Sequence, residues 1–274
     1  MFASAHPEAE STLASEALGC AWTALVSLAF LLRQTQATRH PPVPQASPIR
    51  HLLAGAMLFG GPAVPLLIHG RQLDAASLTI ALALTPIVIA IATSAFGTQR
   101  SDNFAGRIWP GLAAVAGLLL LLAQPGLGDV RTDLALILAP TLTGIGAALF
   151  CADQPASVSR VTTALLGASI LFTLALALTF AVTGSHPPIS LLAVASDGVM
   201  ALLAVITLIQ LGATRWSSQF TWIPLLIIVE GIALVRPQLT TYWVVGLMLL
   251  AVASIYLLLP QDDEANTQAS SVPG

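Results

Sequence analysis

The stretch from Leu211 to Leu259 reads LGATRWSSQFTWIPLLIIVEGIALVRPQLTTYWVVGLMLLAVASIYLLL, and an earlier stretch of the chain repeats its plan. Leu73 to Ala123 reads LDAASLTIALALTPIVIAIATSAFGTQRSDNFAGRIWPGLAAVAGLLLLLA. Leu73 pairs with Leu211, Ala75 with Ala213 and Pro86 with Pro224, at a constant offset of 138 (211 − 73). In both copies a proline sits inside an apolar run. A short polar break follows, Gly97 to Arg107 in one copy and Arg236 to Thr241 in the other. A second apolar run then opens with an early glycine, Gly111 or Gly246, so the later copy is three residues shorter in the break (111 + 138 − 246). Self-similarity at a fixed spacing signals a repeat architecture. In an apolar chain it points to a carrier built from two related halves.

Composition identifies the medium. Of 274 residues 56% are hydrophobic and only 8% charged, where soluble domains carry about 25% charged residues. No soluble fold hides that much apolar surface, so the fold class expected is all-α, a polytopic membrane bundle in contact with the lipid bilayer. All ten basic residues are arginine and none are clustered, which excludes a nucleic-acid partner. Cys20 and Cys151 show neither metal-ligand spacing nor a disulfide framework and read as buried small hydrophobes. Residues 1–16 hold Glu8, Glu10 and Glu16 but no basic residue, so the positive region of a cleavable signal peptide is missing.

Nine apolar runs follow in order. They are Ala17 to Leu32, Leu52 to Ile68, Ala75 to Phe96, Trp109 to Ala123, Leu134 to Ala152, Val161 to Val182, Leu191 to Leu211, Ser217 to Val235 and Tyr242 to Leu259. The first is short against the ~20 residues that span a bilayer. A proline-rich linker (HPPVPQASP) separates it from the second, which carries Gly60, Gly61, Pro62 and Pro65 and is expected to kink. The repeat divides the chain into a polar tail (1–16), a first repeat of four helices (17–124), a turn (125–133), a second repeat of five helices (134–259) and a polar tail (260–274). The counterpart of the helix at 134–152 would fall ahead of the first apolar run, which makes the count odd. With the N-terminus outside, seven arginines (33, 39, 50, 100, 107, 160, 215) lie on the inner side and three (71, 131, 236) on the outer. The positive-inside bias therefore places the C-terminus in the cytoplasm. The absence of lysine and the short loops point to a bacterial inner membrane.

This pattern resembles the drug/metabolite transporter superfamily and, within it, the EamA-type family. The LDAAS turn at Leu73 and the LGAT turn at Leu211 carry the resemblance, with the central prolines Pro86 and Pro224, the short polar breaks and the glycine-led helices. It covers residues 17–259 and is closest over 73–123 and 211–259. The resemblance implies two inverted repeats around a central cavity and alternating-access movement of a small organic metabolite, an amino-acid-like or drug-like solute. Family members usually have ten helices with both ends cytoplasmic, so the first helix is missing here. Gln99 and Pro237 also stand where the family often carries an acidic residue. A partner, a homodimer being one form, would replace the absent helix. The competing expectation is a degenerate carrier fold with a structural or partner-binding role and no transport.

Four residues are expected to line a pocket. Glu230 is the one acidic residue well inside an apolar run, six residues after Pro224, and an acidic group there costs at least about 2.5–3.5 kcal/mol on insertion scales. A cavity-facing carboxylate would bind a proton or a cationic group; the bland alternative is a position near the membrane face. Gln219 and Trp222 are three apart and share a helical face just before Pro224, offering an aromatic wall with one polar handle. Ordinary packing or an interfacial position explains them equally well. Thr85 precedes Pro86 in the equivalent run and has the same two readings, pocket hydroxyl or local bond to the preceding turn. Enzyme readings fail. There is no HExxH, GxSxG or P-loop, and Gly126-Leu127-Gly128-Asp129 spells a GxGD in a turn without the second aspartate that an intramembrane protease needs. No metal or cofactor is expected.

Overall fold

The computed structural model describes residues 18–28, 48–69, 75–96, 104–122, 130–152, 158–183, 190–235 and 241–259, and every element among them is an α-helix. The chain runs through α1 (Leu18–Leu28), α2 (Pro48–His69), α3 (Ala75–Leu82), α4 (Thr85–Ala95), α5 (Phe104–Leu122), α6 (Val130–Cys151), α7 (Val158–Thr183), α8 (Leu191–Trp216), α9 (Gln219–Val235) and α10 (Thr241–Leu258). The expected tails, the proline-rich linker up to Ser47 and the GLGD turn lie outside the described residues.

The membrane-length, all-helical architecture holds. Among the described residues five helices are long and apolar enough to cross a bilayer: Leu78–Ala95, Leu134–Cys151, Arg160–Leu178, Leu191–Trp216 and Thr241–Leu258. Shorter apolar helices cover Leu18–Leu28, Ile108–Leu121 and Gln219–Glu230. The outer surface is itself apolar, with Trp109, Leu178, Leu191 and Tyr242 among its exposed side chains. Water does not tolerate a surface of that kind over this extent, whereas hydrocarbon accepts it.

Two apolar clusters hold the bundle. One joins α1, α2, α4, α6, α7 and α8 through Ala24, Leu58, Ile89, Phe150, Phe172 and Val205. The other joins α3, α5, α9 and α10 through Ile80, Leu118, Leu225 and Leu250. Because lipid is as apolar as leucine, helices here gain by close approach at small residues. Glycine supplies that approach. A Cβ at Gly117 of α5 would lie 2.7 Å from the Gly246 carbonyl of α10, and one at Gly246 would lie 2.8 Å from the Gly117 carbonyl. The glycine-rich GLAAVAG of α5 is thus a packing surface. The same device brings α2 onto α6 and α7: Gly61 sits against Thr143, Gly146 against Ala54 and Leu58, and Gly55 against Ala164.

The boundaries show where turn chemistry competes with apolarity. The second run begins as a helix at Pro48, where a missing N–H costs nothing in the first turn. It continues to His69 through Gly60, Gly61 and Pro62. Between α6 and α7 the guanidinium of Arg160 donates to the Phe150 carbonyl and lies 5.1 Å from the Phe150 ring centroid. This places a positive charge at the carbonyl end of α6, where the helix dipole favours it.

Candidate functional site

The two helices that carry the repeated proline are both broken, one inside its apolar run and the other at the head of its run. The first run splits at Ala83–Leu84 into α3 and α4. Pro86 has no N–H to offer the Leu82 carbonyl, and the Ile87 N–H donates to Leu84 O at 3.0 Å, one residue short of the α-helical register. The second run breaks at Ser217–Ser218 between α8 and α9. There hydroxyls intervene: Ser217 Oγ donates to Thr214 O at 2.6 Å and Thr221 Oγ1 to Ser218 O at 2.8 Å. Just upstream, Gly212 takes φ 73° and ψ 164°, a backbone conformation open to glycine alone.

The two breaks share one backbone bonding pattern. In the first, N–H to carbonyl bonds run from Ala83 to Thr79, Leu84 to Ala81, Ile87 to Leu84 and Val88 to Leu84. In the second they run from Ser217 to Ala213, Ser218 to Arg215, Thr221 to Ser218 and Trp222 to Ser218. Every residue of the first set becomes its counterpart on adding 134 (217 − 83). Pro86 maps onto Phe220, whose N–H donates to Ser217 O at 3.1 Å. The prolines align at 138, so the second break lies one helical turn further ahead of its proline.

The broken helices also meet: α3 touches α9 and α4 touches α8. Ala83 shares a cluster with Leu225, and Trp222 packs against it. Ile89 shares the other cluster with Trp216. At and beside the breaks three buried polar atoms have no hydrogen-bond partner: Thr85 Oγ1, Trp216 Nε1 and Trp222 Nε1. Thr85 is fully buried and Trp216 nearly so, and Trp216 meets Phe220 edge-to-face at 5.4 Å between centroids. A buried polar group left unpaired costs roughly 1–3 kcal/mol.

The structure therefore brings three of the four expected residues to the breaks: Thr85, Trp222 and Gln219, which is half-buried and opens α9. It does not bring Glu230 there. Glu230 is exposed, on the face of α9 that also exposes Ile223, Leu226 and Ile227, roughly 18 Å of helix beyond Ser218 at 1.5 Å per residue. Trp216 and the serine pair Ser217–Ser218 complete the region and were not singled out from sequence. Two adjacent serines at the head of an apolar run were the available signal. Among the described residues no group of His, Cys, Asp and Glu is placed to hold a metal ion. The polar groups standing at the two breaks are thus one hydroxyl and two indole N–H donors, with Arg215 part of the second break. No protein-family model matches the chain, and no curated protein does.

Proposed function

We propose that this protein is a secondary carrier of the drug/metabolite type. It moves a small organic solute by alternating access through the place where two broken helices meet, one from each of two inverted repeats. The shared bonding pattern of the breaks, with unpaired donors beside it, is the observation that carries this reading. Broken helices are where carriers expose backbone and polar groups to a substrate near the bilayer midplane. The solute's oxygen or nitrogen acceptors would pair with the indole N–H groups of Trp216 and Trp222 and with the Thr85 hydroxyl, and Gln219 would supply a further amide. The reading keeps nine spans, four and five, with the N-terminus outside and the C-terminus cytoplasmic in a bacterial inner membrane. It involves no enzymatic step and no cofactor. Pro86 and the Ser217–Ser218 pair would be the points about which the two halves of each broken helix move.

The test is thermal stabilisation of the purified protein by a panel of amino-acid-like and drug-like solutes, followed by Thr85→Val. Valine keeps the shape and removes an unpaired hydroxyl, so the free protein keeps its midpoint or gains. The solute-induced shift should vanish with it. If a solute stabilises the wild-type and Thr85→Val proteins equally, the breaks are not its site.

A further inference from the structure

We infer that the solute carries a carboxylate and that the Arg215 guanidinium is its counter-charge at the second break. Binding of this kind presupposes the solute site proposed above and assigns that site its charge and its head group.

Arg215 stands in a short segment that the chain sets apart. Gly212 interrupts α8 with φ 73°, and Ser217–Ser218 interrupt the chain again before α9. Between them lie Ala213, Thr214, Arg215 and Trp216. The end of α6 holds this segment. The Cys151 thiol donates to Leu208 O at 3.9 Å on one side of Gly212 and bonds the backbone of Ala213 on the other. Ala213 and Trp216 are buried, and Arg215 is half-buried between them. Its charge is therefore carried by a fixed piece of backbone, next in sequence to one of the two unpaired indoles.

The electrostatics of the second break are positive. A second cation, Arg160, is buried and acts on Cys151. Among the residues whose side chains are described, the carboxylates are Asp197 and Glu230. Asp197 precedes Gly212 by about 22 Å of helix at 1.5 Å per residue, and Glu230 is exposed on the outer face of α9. A guanidinium in apolar surroundings is costly unless an anion meets it. The uncharged groups have the matching polarity. The indoles of Trp216 and Trp222 can only donate, and both Nε1 atoms are buried without a partner, as is the Thr85 hydroxyl. A carboxylate accepts at about four lone-pair positions and matches a guanidinium in a two-bond fork, so it can pair with both kinds of donor. An amide carbonyl would satisfy indoles but bring no charge, and an ammonium would meet donors and a like charge. A phosphate monoester brings close to two charges against the single guanidinium of the break, since Arg160 is engaged with the Phe150 carbonyl and ring. Trp216, Phe220 and Trp222 add aromatic surface. The solute class is a monocarboxylate with an apolar body.

The test is binding to the purified full chain, read as a thermal shift and as a Kd. The probes are phenylpropionate, hexanoate and lactate, each beside its amide, with phenylpropylamine as the cationic control. At least one acid should stabilise the wild-type protein, and its amide should bind about ten- to a hundredfold more weakly, the scale of charge-assisted hydrogen bonds. Arg215→Gln should abolish that preference and Arg215→Lys should restore part of it. The acid–amide comparison is made on wild-type protein, so it stands even where Arg215→Gln fails to fold. An amide or the amine that binds as tightly as the acid, with its shift lost in Thr85→Val, overturns the inference and leaves the solute site in place. An acid preference that survives Arg215→Gln overturns it as well. So does the absence of a shift from every probe; the site itself then stands or falls on whether other solutes give a shift that Thr85→Val removes.

Discussion

At the scale of single residues, glycine acts in two separable ways. Gly212 has open space where a Cβ would go, yet its backbone sits at φ 73° and ψ 164°. Gly212→Ala is therefore expected to destabilise the protein by about 1–3 kcal/mol through backbone strain alone, measured as a lowered unfolding midpoint in detergent. Gly246 has ordinary helical geometry and no room. Gly246→Leu drives a side chain onto the Gly117 carbonyl and the Leu120 and Leu121 side chains, at a cost of about 3 kcal/mol if α5 and α10 stay together. The two variants differ in how they are repaired. A smaller side chain at 246, as in Gly246→Ala, recovers part of the loss, whereas no L-residue recovers position 212. Of these, only the packing role was legible in the sequence, where GLAAVAG announces a small helical face. The strain at Gly212 was not, because an LGAT turn between two runs does not say which of its residues leaves the helical backbone region.

At the scale of elements, the two breaks are alike in backbone bonding and unlike in side chains. Sequence pairs the two broken helices through Pro86 and Pro224, whereas the backbone pairs them through Leu84 and Ser218, a turn away. Each break has its own chemical cause. The first follows from a proline that cannot donate. The second follows from serine and threonine hydroxyls that engage the carbonyls beside it. Pro224 is buried inside α9, which continues past it. Pro86→Ala should close the first break, letting residue 86 donate to Leu82 O and joining α3 to α4. The expected result is a more stable protein, by up to about 3 kcal/mol given what proline costs a helix interior, that has lost its solute-induced thermal shift. Pro224→Ala should leave that shift intact. Glu230 illustrates what position along the chain leaves open. Its place within an apolar run marks it as expensive, but position along a helix does not say which way the side chain faces. Here the face is the outer one.

At the scale of the whole molecule, the all-helical membrane architecture followed from composition and the run lengths, and the helix starts and stops moved by only a few residues. The length of some elements was less legible. Loop sequence with helical propensity extends α5 back to Phe104, and a short helical stretch runs on to Trp216 beyond the kink at Gly212, outside the runs marked by hydropathy. The proposed orientation gives opposite ends to opposite sides. A reporter fused ahead of residue 15 should map outside and one after residue 262 inside. Both ends inside would mean that the first apolar run does not cross, leaving an even bundle and favouring the degenerate, non-transporting fold.

The proposed carrier needs its two breaks to form a solute site that opens to water. The most direct measurement is thiol accessibility at Thr85→Cys and Thr221→Cys, two positions that are fully buried in this conformation. Membrane vesicles are treated with a charged, water-soluble reagent, and labelling is read over the background of Cys20 and Cys151. Leu226→Cys, on the outer face of α9, serves as the lipid-facing control. In such a carrier both break positions react, Leu226→Cys does not, and a stabilising solute protects the first two. Break positions as inert as Leu226→Cys would contradict it, leaving a closed bundle in which the breaks are only a feature of packing.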